Sequence, residues 1–136
     1  MKEKLIQGTM VGILKRYATK YGCNKANVQV ILSLKDDIVE YLVCENYKPK
    51  ESQTAGEILN IKSKMLDFMG LLTIVPDSIK KSLKENADSL KMNVSELSAM
   101  ICYSRSSGGE EGVRIALYKD NKEYLKEVAL KDMFSE

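Results

Sequence analysis

Histidine and tryptophan are absent from this sequence, and cysteine, proline and phenylalanine are scarce. Without histidine the chain lacks the commonest general base, the commonest metal ligand and the usual pH switch near neutrality. The cysteines Cys23, Cys44 and Cys102 stand singly and are odd in number, which argues against a disulfide framework and favours a reducing, cytoplasmic compartment. We interpret them as small buried apolar residues.

Long apolar runs and phosphate-binding loops are also missing. No stretch approaches the roughly 20 apolar residues that a membrane-spanning helix needs. Neither a P-loop nor a GxGxxG pattern occurs. The adjacent carboxylates at 36–37 and 110–111 stand in predicted turns without a third carboxylate nearby, so they are weak candidates for a metal site. The sequence therefore predicts a protein that is not an enzyme, with no cofactor, no metal and no membrane partner.

The composition is that of a folded domain. Hydrophobic residues make up 44% of the chain, charged residues 29%, and the formal net charge is +2. We predict a single α+β domain over residues 1–136, with about four helices packed against one or two β-hairpins. The first helix is expected over about 4–21, because Ile6, Met10, Ile13 and Tyr17 share one face, and Gly22 suits its end.

Later segments carry weaker patterns. Residues 28–43 predict a β-hairpin around the turn at 35–37, and the polar stretch 46–53 predicts a loop. A capping box at 54–57 predicts a helix that ends at Gly70. Further helices are expected over about 77–90 and 94–106, and a strand over 113–118. The last stretch, 122–134, is ambiguous between helix and strand, and we favour the return strand of a second hairpin. A helix followed by a hairpin would then occur twice in the chain. Because the halves otherwise share little sequence identity, we favour a single domain without a true duplication.

Residues 71–101 hold the one recognisable pattern. A short apolar strand leads into Pro76-Asp77, a helix follows with Leu83 and Ala87 on its apolar face, and Ser95-Glu96-Leu97 opens another helix. This arrangement resembles the ribbon-helix-helix family of DNA-binding regulators. The resemblance implies a homodimer whose paired strands read base edges. Leu72 and Ile74 would occupy the base-facing positions, where that family carries polar side chains.

The resemblance also implies a phosphate contact at the N-terminus of the second helix. Its residues would be Lys91, Asn93 and Ser95, with Lys80 and Lys84 available on the helix before. The implied partner is double-stranded DNA. The alternative is a protein-protein interaction module, such as an adaptor, an inhibitor or a subunit of a larger assembly. Seven tyrosines and seven methionines favour it, because these residue types are common in interface cores. A small-ligand sensor is a third alternative, for which the sequence locates no pocket.

Overall fold

The fold is built on one six-stranded antiparallel sheet. The structure is a computed structural model that describes residues 2–54 and 71–134. Its elements, in chain order, are α1 (Lys2–Tyr21), a 3-10 helix (Lys25–Asn27), β1 (Val28–Lys35), β2 (Ile38–Glu45), β3 (Lys48–Thr54), α2 (Leu71–Ser89), a second 3-10 helix (Val94–Glu96), β4 (Leu97–Arg105), β5 (Glu111–Lys119), β6 (Glu123–Val128) and the short α3 (Leu130–Met133).

The main core lies between the sheet and the two long helices. The strand order is β3-β2-β1-β4-β5-β6, so β1 and β4 pair at the centre. Every second residue of a strand points to the same face, and the alternate residues Val30, Leu32, Ile101 and Leu117 lie under the helices. The helices contribute side chains such as Leu14 and Leu83, both fully buried.

The predicted architecture of about four helices with one or two hairpins is wrong. Among the described residues only α1 and α2 are long helices, and the sheet dominates. The largest error concerns 94–106, predicted as a helix. The capping pattern at Asn93 starts only a 3-10 turn, and the chain then continues as β4. Because β4 pairs with β1 on one side and β5 on the other, sheet pairing overrides its local helical pattern.

Two further predictions are wrong, and a third concerns residues outside the described ranges. The loop expected at 46–53 is mostly the edge strand β3, where Pro49 is tolerated because an edge strand has one unpaired side. The apolar run at 71–75 belongs to helix α2 rather than to a strand. The helix expected over 54–70 lies outside the described residues, apart from Thr54 at the end of β3.

The chain contains a structural repeat. Each half has the order helix, 3-10 helix and three antiparallel strands. Residues 69 positions apart are equivalent from the helix to the first strand: the hydrogen bonds from Cys23 N to Ala18 O and from Met92 N to Ala87 O correspond. The second strands are 74 positions apart and the third strands 75. The bulges correspond too, since one lies at Val43/Cys44 and the other at Leu117/Tyr118. The preference for a chain without a duplication is therefore wrong at the level of the fold, because the two halves repeat the same elements in the same order.

A pseudo-twofold axis passes between the two central strands. Ile31 pairs with Met100, and these two residues are each other's equivalents in the repeat. Gln29 is equivalent to Ser98, and Ser33 is equivalent to Cys102. The rotation therefore exchanges the Gln29–Cys102 pair with the Ser33–Ser98 pair. The halves thus meet as two protomers of a symmetric dimer would, joined in one chain.

Equivalent ion pairs connect the two halves. Lys15 on α1 reaches Glu111 at the start of β5, with 3.1 Å between Nζ and Oε1. Its counterpart Lys84 on α2 reaches Asp37 in the β1–β2 turn, with 3.0 Å between Nζ and Oδ1. Each helix therefore contacts a strand end or hairpin turn of the opposite half. Exposed pairs of this kind contribute little individually, so they orient the helices more than they stabilise them.

Candidate functional site

The residues that the sequence singles out for DNA contact fall into two groups. Lys91, Asn93 and Ser95 are exposed and lie in the connection from α2 to β4. Lys91 has a positive φ of 56° and ends the helical segment in the place that Gly22 takes in the first half. Asn93 precedes a three-residue 3-10 helix and makes no side-chain capping bond. The long second helix that would present free amides to a phosphate is absent at these residues.

Lys80 and Lys84 lie in the middle of α2. Both contact Asp37, with Nζ to carboxylate distances of 3.2 Å and 3.0 Å. The two ammonium groups, Lys84 first, hold the pKa of Asp37 below its usual range. Their charge is thus partly neutralised within the chain, and no described contact brings them together with Lys91. The assignment of these five residues to DNA stays a prediction.

The ribbon-helix-helix interpretation itself is wrong. Leu72 and Ile74, the expected base-facing strand residues, belong to the first turns of α2. The helix continues through Pro76, and the expected second helix is the central strand β4. A ribbon followed by two helices therefore does not occur in 71–101.

A second apolar cluster lies on the sheet face opposite the helices, which we call the open face. Ile31, Cys44 and Met100 are its buried members, and Leu42, Cys102 and Tyr118 pack against them. All six are strand residues, so none of the described helical residues takes part in this cluster. The face is centred on the pseudo-twofold axis, because Ile31 and Met100 form the central pair.

A groove of about 240 Å³ opens on the β4–β6 part of this face, and we call it the open-face groove. Met100, Cys102 and Ala116 contribute to its lining. Tyr118 and Tyr124 pack edge to face, with ring centroids 5.8 Å apart and planes at 75°. Tyr124 is 58% exposed, so more than half of this aromatic side chain is accessible to solvent. The groove thus offers an aromatic, mainly apolar surface.

The rim of the open-face groove is an ion pair. Arg114 donates two parallel hydrogen bonds to Glu127, 2.8 Å from Nε to Oε1 and 2.9 Å from Nη2 to Oε2. The bidentate contact holds both side chains in a defined geometry. It also lowers the pKa of Glu127. The rim is therefore charged and ordered while the floor is apolar, the arrangement typical of protein interfaces.

The thiols near the open face are protonated near neutral pH. Burial raises the pKa of Cys102, and burial also raises that of Cys44. A thiol with a raised pKa is a poor nucleophile and a poor metal ligand, because both roles need the thiolate. Cys102 therefore contributes to the groove as a small apolar side chain.

Among the described residues, the first half lacks the aromatic pair and the ion pair of this groove. Cys44 takes the place of Tyr118, Pro49 that of Tyr124, and Glu40 that of Arg114. The aromatic pair and its charged rim are thus specific to the second half. This asymmetry within a symmetric scaffold marks the groove as a candidate functional site.

Sequence reasoning did not find this site because β4, which contributes Met100 and Cys102 to it, was predicted as a helix. The usable signal is the alternation in β5, where Arg114, Ala116 and Tyr118 interleave with the buried Ile115 and Leu117. An aromatic residue on the polar side of such a pattern indicates an exposed face with a binding role. Only the sheet register brings Tyr124 next to Tyr118.

Comparisons with known proteins give no relative. The chain matches no family model, no curated protein and no solved structure. Within 2–54 and 71–134, no helix is long and apolar enough to span a membrane. The same described residues contain no group of three or more acidic, cysteine or histidine side chains placed to hold a metal ion.

Proposed function

We propose that this chain is a non-enzymatic protein-interaction module, and that its open-face groove receives apolar side chains of a partner protein. The observation that carries the proposal is the edge-to-face pair of Tyr118 and Tyr124 on a sheet face that none of the described helices covers. Tyrosine, arginine and methionine are the residue types that contribute most to binding at protein interfaces, and all three line this groove.

The geometry also suits the size of such a contact. A stable interface buries about 800 Å² and about 20–30 residues on each partner, whereas seven residues line the groove itself. Leu42, which is partly buried and packs against the same apolar cluster, supplies additional area. Burial first, and then the nearby exposed Tyr47, raises the pKa of the Tyr118 phenol, so Tyr47 lies close to the groove. We place this function in a reducing, cytoplasmic compartment, since Cys23, Cys44 and Cys102 are free thiols.

A peptide-display selection tests the proposal. A random peptide library is panned on the immobilised chain, and survivors are compared on Tyr124→Glu. We expect peptides rich in apolar side chains with a Kd in the micromolar range, and at least tenfold weaker binding to Tyr124→Glu, about 1.4 kcal/mol. The matched control is Ile38→Glu, which introduces the same charge at another exposed apolar strand residue, 54% exposed and outside the groove.

Equal loss of binding in both variants, or no loss in either, would refute the groove as the site. Sedimentation velocity of the wild type over a range of concentrations identifies the remaining case, in which the partner is a second copy of the chain. Self-association that Tyr124→Glu abolishes and Ile38→Glu preserves would make the protein a homo-oligomer through this face.

A further inference from the structure

A second groove lies on the other side of the edge strand β6. It has a volume of about 450 Å³ and runs between α2 and the segment formed by β6 and α3. We call it the helix–edge groove. Its α2 wall includes Ser82, Asn86 and Ser89, and its other wall includes Lys126, Lys131 and Asp132. Hydroxyl, amide and charged groups therefore line it, in contrast to the apolar open-face groove.

The internal repeat explains why this groove is open. In the first half, Lys20 Nζ and Tyr21 Oη of α1 both donate to Glu51 Oε2 of β3, and this contact joins the helix to the edge strand. The residues equivalent to Lys20 and Glu51 are Ser89 and Lys126. The second assignment follows from register, because Val43 pairs with Glu51 as Leu117 pairs with Lys126.

The side chains of the helix wall are also smaller in the second half. Ser82 and Asn86 replace Ile13 and Tyr17, both of which are buried in the core under α1. Ser82 is itself only 4% exposed, although it is polar. Its Oγ accepts a 3.3 Å hydrogen bond from Asn86 Nδ2, which leaves its own proton for another acceptor. The second half thus has a groove lined by donors at the position where, in the first half, Lys20 and Tyr21 of the helix bond to Glu51 of the edge strand.

The charges of the groove favour an anion. Of its three carboxylates, Glu85 lies 4.0 Å from Lys81 and Glu127 is held by Arg114. Among the described residues, Lys126 and Lys131 have no carboxylate partner, and Asp132 has no cationic one. Two ammonium groups therefore remain against one carboxylate. At the strand position where the first half has the carboxylate of Glu51, the second half presents an ammonium group.

We propose that the helix–edge groove binds a small organic anion that carries a carboxylate or a phosphate group. The anionic group contacts the Lys126 and Lys131 ammonium groups. The Ser82 and Ser89 hydroxyls donate hydrogen bonds to the same anionic group from α2. Hydrogen bonds to a charged acceptor are stronger than those between neutral groups. A volume near 450 Å³ accommodates a metabolite-sized molecule. The site shares only Glu127 with the open-face groove, and the variants that test the two grooves change different residues, so each proposal can fail without the other.

The test is a titration of the full chain followed by ¹⁵N–¹H NMR at low ionic strength, where the ammonium groups are least screened. The probes are inorganic phosphate and succinate, with glycerol as a neutral control. We expect saturable shifts at the amides of 82–89 and 126–132, with a Kd of about 1–10 mM or tighter for the preferred anion. The two probes distinguish a phosphate site from a carboxylate site.

The decisive variant is Ser89→Lys combined with Lys126→Glu, which rebuilds the Lys20–Glu51 contact of the first half. We expect it to fold normally by circular dichroism and to bind the anion at least tenfold more weakly, about 1.4 kcal/mol. Lys48→Gln is the matched control, since it changes the net charge by the same single unit on the exposed strand β3. Undiminished binding by the double variant, equal weakening by Lys48→Gln, or no saturable shift with either anion would overturn the proposal.

Discussion

Replacing Tyr41 by phenylalanine is expected to stabilise the protein. Tyr41 lies on β2 with its side chain 1% exposed, packed on the helix side of the sheet. No partner for its hydroxyl lies within hydrogen-bond distance among the described residues. Burial, and secondarily the nearby Tyr17, raises the pKa of Tyr41 well above its usual range, as expected for a phenol without a stabilising donor.

The magnitude follows from the cost of that buried hydroxyl. A buried polar group without a hydrogen bond costs about 1–3 kcal/mol, and phenylalanine keeps the ring that fills the space. The internal repeat provides an independent indication, since Ile115 takes the equivalent position in the second half and is 1% exposed. We therefore expect the free energy of unfolding to rise by about 1–2 kcal/mol and Tm by roughly 3–6 °C.

Urea unfolding monitored by circular dichroism measures this change, because the chain has no tryptophan to report by fluorescence. Tyr41→Ala is the control that separates the ring from the hydroxyl. Removing the whole side chain leaves a cavity, so we expect a loss of about 3–5 kcal/mol. A gain for phenylalanine together with a loss for alanine would assign the stabilisation to removal of the hydroxyl.

The opposite result for Tyr41→Phe would refute this reasoning. A loss of about 1 kcal/mol or more is what deletion of a satisfied hydrogen bond produces. It would mean that the hydroxyl has a partner in solution, such as an ordered water molecule. The raised pKa of Tyr41 would then not reflect a hydroxyl without a hydrogen-bond partner.

Two further predictions concern the charges and the core. Lys25, Lys15 and Tyr103 bond to Glu111 and lower its pKa to about 2 from 4.5. Because the folded value lies below the unfolded one, this stabilisation is present above about pH 4.5 and disappears as the pH falls towards 2. Glu111→Gln should therefore lose less in Tm than the wild type between about pH 5 and pH 2 in thermal melts, and an identical loss would contradict the assignment. Leu14→Ala and Leu83→Ala remove equivalent, fully buried side chains from the two helices. Each should cost about 2–5 kcal/mol in urea unfolding, and values differing by more than about 2 kcal/mol would show that the two halves do not share the core equally.

Local patterns predicted the segments whose structure depends on near neighbours. The first helix, the β1–β2 hairpin and its turn at Asp36-Asp37 are present as the alternation and turn residues indicate. Gly22 has a positive φ of 67° at the end of α1, as a helix C-terminus requires. For 122–134 the preference for a strand is correct for β6, after which the chain forms the short helix α3.

Segments whose local pattern conflicts with their strand pairing were predicted wrongly. The pattern of 94–106 fits a helix locally, but β4 is hydrogen-bonded on one edge to β1, far away in the chain, and on the other edge to the neighbouring strand β5. Pro49 and the polar residues beside it look like a loop, and they become an edge strand because β2 provides its single partner. The ribbon-helix-helix resemblance failed for the same reason, since a short motif carries no information about sheet pairing.

The sequence by itself determined that histidine chemistry is unavailable, that the cysteines do not form a paired framework, and where the first helix and hairpin lie. These properties depend on composition and on contacts between residues close in the chain. Only the tertiary structure decided the six-stranded sheet, the pseudo-twofold relation of its halves and the two grooves beside β6. Each of these depends on strand pairing and register, which sets Tyr118 against Tyr124 and Lys126 in the place of Glu51. Sequence identity between the halves is too low to reveal that equivalence, because the repeat is retained in backbone hydrogen bonds and burial rather than in side-chain type.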